Sequence, residues 1–155
     1  MEQIPQPIEP AGMFSGLRIK AIALGVLADI GSTFILGTIL MSVMLISEYG
    51  TDMPDEAIDN FYKTNRNLYL LFLLGTACTV FGGFIGAKLA GSSEIRHGGW
   101  VGAVSLIISV LIEMSSDQSQ SYPRLFSILS VAVVIPAGVL GGYLSIVFSK
   151  IEKAF

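Results

Sequence analysis

Charge is scarce in this chain: Asp, Glu, Lys and Arg make up 14% of 155 residues, against roughly 25% in soluble domains. With 52% hydrophobic residues and a mean hydropathy of +0.70, an ordinary water-soluble domain is excluded. The single cysteine, Cys78, excludes a disulfide within the chain and any multi-cysteine metal site, and the single histidine, His97, excludes a histidine-rich one. No metal and no cofactor is expected. Positive charge is also short, at 9 Lys and Arg against 12 Asp and Glu. No basic stripe exists to neutralise phosphates, so nucleic acid is not an expected partner. The glycosylation triplet Asn-x-Ser/Thr is missing too, since Asn60, Asn65 and Asn67 are followed two positions later by Tyr62, Asn67 and Tyr69.

What is present is long stretches without charge. A helix needs about 20 mainly apolar residues to span a ~30 Å hydrocarbon core, and four intervals fit or nearly fit. They are residues 21–47, interrupted only by Asp29, and the intervals between Arg66 and Lys88, Arg96 and Glu113, and Arg124 and Lys150. The runs are continuously apolar and lack the alternation of a lipid-facing barrel. The expectation is an all-α integral membrane four-helix bundle over residues 17–155, with helices at about 19–47, 67–89, 98–114 and 124–149, the third being short. The first run is far longer than the ~7–15 residues of a signal-peptide core and reads as an uncleaved anchor. Before it, residues 1–16 carry Pro5, Pro7 and Pro10 with Glu2 and Glu9, the composition of a disordered tail.

Positive charge biases loops toward the cytoplasm. Alternating helices put Arg18, Lys20, Lys88, Arg96, Lys150 and Lys153 on one side and Lys63, Arg66 and Arg124 on the other. Both termini are therefore expected inside a bacterial cytoplasmic membrane. Aromatic residues fit that frame: Tyr49, Phe61, Tyr62, Tyr69 and Tyr122 fall at one interface, Trp100, Phe148 and Phe155 at the other. Within the outer loop, residues 51–65, Pro54 and the acids Asp55, Glu56 and Asp59 precede a face of Ile58, Phe61 and Tyr62. That pattern suits a short surface helix, either a connector on the headgroups or a lid.

In lipid, apolar side chains gain little by leaving acyl chains for each other, so close packing relies on small residues. The second helix carries Gly82, Gly83 and Gly86, the fourth Gly138, Gly141 and Gly142, and the third opens with Gly98, Gly99 and Gly102. The phrases Gly82-Gly83-Phe84-Ile85 and Gly141-Gly142-Tyr143-Leu144 suggest either a duplicated hairpin or a shared composition. Pro136 removes a hydrogen bond from the fourth helix and favours a bend there. The stretch from Gly82 through Gly86-Ala87-Lys88 to Gly91, followed by His97-Gly98-Gly99-Trp100-Val101-Gly102, resembles the uncharacterised small four-helix bacterial membrane proteins of the YrzE-like kind. The resemblance covers about a quarter of the chain. It implies four helices in a bacterial cytoplasmic membrane, and no activity.

Asp29 is the most informative residue, because a carboxylate in hydrocarbon costs about 3 kcal/mol on insertion scales. It must face protein or water. At ~1.5 Å per residue from Lys20 it lies about 13 Å deep, level with Thr79, nine residues before Lys88, while Ser32 and Thr76 match one turn further out. Gly141 falls at the same depth in the fourth helix. Asp29, Ser32, Thr76 and Thr79 thus form a candidate intramembrane polar site.

Two readings stand for it. In one, Asp29, uncharged, bonds Thr79 and fastens two helices. In the other it exchanges a proton for a substrate cation, as a single acid does in small multidrug exporters, although no tryptophan and tyrosine cage is evident. Glu113 lies about 9 Å from the Asp29 level and reads as an interfacial partner of Arg124. Cys78 in mid-helix is too apolar in setting for a nucleophile, Ser105 and Ser109 lack a strained nucleophile turn, and His97 reads as interfacial.

The expected role is therefore not enzymatic. The first reading is a structural, assembly or partner-dependent membrane component, with lipid as solvent and a homo-oligomer or membrane protein as partner. The alternative is a small proton-coupled transporter using Asp29. Reporter fusions after Asp59 and after Glu94 check the topology. The first is expected to behave as exported and the second as cytoplasmic, and the reverse result overturns the orientation.

Overall fold

The computed structural model describes residues 16–50, 52–115, 124–152 and 154, with the side chains at 113, 124 and 125 outside that set. The expected tail and the expected Glu113 to Arg124 pairing fall outside the described residues. Five helices follow in order: α1 (Ile19–Tyr49), α2 (Ala57–Lys63), α3 (Asn65–Ala90), α4 (Glu94–Ser115) and α5 (Arg124–Glu152). Four of them are long and apolar enough to cross a membrane. The chain is an all-α, multi-pass membrane protein.

Most boundaries lie within three residues of the expected ones, but α4 begins four residues earlier, at Glu94 rather than Gly98. The reason is physical. Charge marks where hydrocarbon ends, whereas a helix continues through the wet interface, so Glu94, Arg96 and His97 occupy its first turn. Its start is set by Gly91, which closes α3 with φ +61°, a left-handed conformation suited to glycine, and whose N–H donates to the Ala87 carbonyl at 3.2 Å. Three residues then separate the two helices.

In the expected surface helix α2, Ala57 and Phe61 are buried against Leu45 of α1, with Met41, Met44 and Tyr62 around them. Ile58, expected on that buried face, is exposed. The face is set by Ala57 and Phe61, four residues apart and therefore stacked on one side of a helix.

α3 is the hub, packing against every other helix, while α1 and α5 make no contact with each other. Adjacent residues on a helix point about 100° apart, and α3 uses that in its double glycines. Gly82 and Gly86 face Gly25 of α1, and Gly83 faces Gly138 of α5. A Cβ on Gly83 would lie 2.5 Å from the Gly138 carbonyl oxygen, and one on Gly25 would lie 2.8 Å from that of Gly82. Gly98 and Gly102 of α4 meet α5 in the same way, at Gly138, Gly142 and Val134. These are backbone-to-backbone contacts with no room for a side chain.

At the same end of the bundle Lys88 pairs with Glu152 at 3.6 Å and Phe84 meets Phe148 edge to face. His97, with 0% exposure, is buried between helices in the first turn of α4. Its Nδ1 donates to the Ser93 carbonyl at 3.1 Å and its Nε2 accepts the Arg18 N–H at 3.0 Å, which fixes the neutral tautomer and docks the start of α1 on α4.

The glycine contacts predict a sharp contrast between two substitutions. Gly138→Leu, in detergent thermal or denaturant unfolding, is expected to lose at least ~1–3 kcal/mol by overpacking. Gly37→Ala, where an added Cβ meets nothing within 4 Å, is expected to stay within ~0.5 kcal/mol.

Candidate functional site

The glycine-packed level ends at Asp29. Its Cβ would lie 2.5 Å from a Cβ placed on Gly82, so the carboxylate-bearing turn of α1 can approach α3 only because position 82 is bare. Gly141, at the depth counted from the sequence, meets the backbone of Val80, Gly83 and Phe84 of α3, while the glycine against Asp29 itself is Gly82. Residue counting gives depth along a helix and not the face turned toward a neighbour.

Asp29 is 3% exposed. The Thr79 hydroxyl donates to its Oδ1 at 3.1 Å and also lies 3.1 Å from the Gly75 carbonyl. A hydroxyl holds one proton and two lone pairs. With Asp29 ionised, Thr79 donates to the carboxylate. With Asp29 protonated, Thr79 gives its proton to Gly75 and accepts from the carboxyl. The pair keeps a hydrogen bond in either state.

Of the other expected polar residues, Ser32 donates to the Asp29 backbone carbonyl at 3.1 Å and Thr76 to that of Phe72 at 2.8 Å. Both hydroxyls are thus satisfied within their own helices, a usual local competition with the ladder. Thr76 nonetheless lines the same cavity as Asp29, and Ser32 does not.

That cavity, of about 540 Å³, lies among α1, α3, α4 and α5. Asp29, Thr79 and Ser105 lie toward its glycine-packed end, and Phe34, Leu68, Ile112 and Phe126 toward the α2 end. From Thr79 to Leu68 it runs about 16 Å along α3. Among the described residues Asp29 is the only charged one in its lining. Thr33, Ser109 and Ser130 add hydroxyls higher in the wall. Ser105, also 3% exposed, stands close to Asp29 but its hydroxyl completes no hydrogen bond among the described residues.

Sequence reasoning missed Ser105, Thr33, Ser109 and Ser130 as a set. Serine and threonine are ordinary in membrane helices, and only their convergence on one space singles them out. Gly25 was likewise unremarked, being isolated in its helix. Cys78 is buried, and among the described residues no three His, Cys, Asp or Glu side chains cluster as metal ligands.

Compared with protein-family models, with curated proteins and with solved structures, the chain matches none. The site must be read from its own chemistry.

The Thr79 to Asp29 bond predicts that Thr79→Val, equal in shape and unable to bond, lowers unfolding stability in detergent by about 1 kcal/mol, the scale of interhelical hydrogen bonds in membranes. A loss above ~3 kcal/mol would mean that Thr79 carries packing as well.

Proposed function

We propose that this chain is a small proton-linked membrane carrier, with Asp29 as the group that loads and releases the proton. The observation that carries the reading is the cavity among the four long helices whose glycine-packed end holds Asp29. An acid needed only to fasten helices has no use for a solute-sized space beside it. The Thr79 hydroxyl supports the reading further, because it serves the carboxyl in both protonation states. Among the described residues no other titratable or charged side chain lines the cavity, which makes Asp29 the group on which the proton would reside. An ionisable group inside a membrane is by default a functional one.

The setting that fits this reading is a bacterial cytoplasmic membrane with both termini on the cytoplasmic side, supported by the six-to-three distribution of Lys and Arg and by the YrzE-like motif. Lipid as the surrounding partner suits the outward apolar side chains, among them Leu27, Leu73, Ile107 and Ile128. The reading includes no bond-making step on a substrate, so the chain is not assigned as an enzyme.

A structural or partner-dependent component is the second reading. The Thr79 to Asp29 bond between α1 and α3 favours it, since that bond alone fastens two crossings. Such a component would act as a homo-oligomer or beside another membrane protein.

Purified protein in liposomes with an imposed pH gradient separates the two. Wild type is expected to move protons when organic or inorganic ions are offered on one side, and Asp29→Asn is expected to fall to the rate of protein-free liposomes while remaining folded. Equal rates for wild type and Asp29→Asn across the ion panel would leave only the structural reading.

A further inference from the structure

The lining of the cavity narrows the class of solute. This inference deepens the carrier reading and rests on it for its physiological use. Among the described residues the polar side-chain atoms lining the cavity are all oxygens, contributed by one carboxyl and by hydroxyls, with no Lys, Arg or His. Moreover, the protons of two of the threonine hydroxyls are committed. Thr76 gives its proton to the Phe72 carbonyl, and Thr79 divides its one proton between Gly75 and Asp29. Those two hydroxyls offer a solute lone pairs, and the ionised carboxyl beside them repels an anion and attracts a cation.

Charge count and size choose among cations. Among the described residues the cavity has a single carboxyl, which balances one positive charge and leaves a divalent ion under-neutralised, and no cluster of metal-ligating side chains is present. The volume of about 540 Å³ falls within the ~300–1,000 Å³ typical of small-molecule sites. A bare monovalent ion would leave most of it empty. The rest of the wall is apolar and aromatic. Phe34, Phe72 and Phe126 line it, with the rings of Phe72 and Phe126 6.0 Å apart and steeply inclined. Aromatic faces attract cations, and most strongly out of water.

The buried Ser105 hydroxyl is the independent sign. A polar group shut from water and left without a partner is costly, and this one sits beside Asp29 facing the same space.

We propose that the cavity binds an amphiphilic organic monocation of the alkyl- or arylammonium type. Its nitrogen lies beside Asp29, Thr79 and Ser105, and its apolar body along Phe34, Phe72 and Phe126. These residues bind the solute and do no chemistry on it.

The test is calorimetric titration of the full chain in non-ionic detergent with benzyltrimethylammonium, beside benzenesulfonate and sodium. Wild type is expected to bind the ammonium saturably, one per chain. Asp29→Asn is expected to weaken it about 10-fold or more, through loss of a desolvated charge pair. Ser105→Ala is expected to weaken it about 3-fold while its melting temperature holds or rises, because an unpartnered buried hydroxyl has been removed. A merely structural Ser105 would leave binding unchanged. Phe72→Leu, which keeps the wall apolar, is expected to cost a similar ~3-fold through the lost ring face.

Benzenesulfonate binding as tightly as the ammonium, affinity undiminished in Asp29→Asn, or sodium binding at the same site in place of the ammonium would each overturn the proposal. Saturable, Asp29-dependent ammonium binding without proton movement in liposomes would remove the carrier reading and leave the cation site standing. Asp29-dependent proton movement without ammonium binding would do the reverse.

Discussion

The architecture depends on helices touching backbone to backbone. In lipid the apolar side chains that glue a soluble core gain little by associating, so van der Waals contact between main chains has to supply the cohesion. Here it is concentrated in one band. Gly25 on α1, Gly82, Gly83 and Gly86 on α3, Gly98 and Gly102 on α4, and Gly138, Gly141 and Gly142 on α5 press onto neighbouring main chain or against the Val101 side chain, with separations that exclude a methyl group. Because α3 carries glycines on two adjacent faces, a single helix can hold both α1 and α5, which do not touch each other.

The cavity is what remains where the glycine band stops. On the α2 side of the band the inward positions become Thr76 and Phe72 on α3, Ser105 and Ser109 on α4, and Ser130 and Phe126 on α5. Side chains there stand between helices that met directly one or two turns before, and space opens among them. The far end of α1 is tied not to α4 or α5 but to α2, through Leu45, Ala57 and Phe61. Asp29 sits at the junction of the two regimes. It is close enough to Gly82 to need the absence of a side chain there, and far enough from the band to face the open volume.

This division explains what the sequence discloses and what it conceals. Four crossings are legible because apolar length is a one-dimensional property, and the pairing of Asp29 with Thr79 because depth can be counted at a fixed rise per residue. Azimuth is not counted so readily. Gly141 has the counted depth and meets the α3 backbone there, while Gly82, one turn from Asp29's level, is the glycine that touches Asp29. The charges around His97 disclose its place near a helix end, but not that its two ring nitrogens are both engaged inside the bundle. The cavity was illegible for a further reason. No single hydroxyl in it is unusual, and its polarity arises only when four helices bring theirs together.

The unequal hold on α1 follows from the same geometry and bears on how the site is maintained. The first half of the helix is fixed at three successive heights: by His97 at the Arg18 N–H, by Gly82, Gly86 and Val101 around Gly25, and by Thr79 at Asp29. Beyond Asp29, Phe34, Ile35 and Ile39 are more than half exposed, and the next buried residue is Leu45. The wall that α1 gives the cavity beyond Asp29 is therefore sparsely packed, while the glycine-packed end is closely constrained. Few buried contacts mean that a segment can shift at small cost, whereas a backbone packed on bare backbone has almost no freedom. The carboxyl is thus held to a tight geometry by elements that cannot move apart without breaking the band, and the volume beside it is bounded on one side by a stretch of helix that little else restrains.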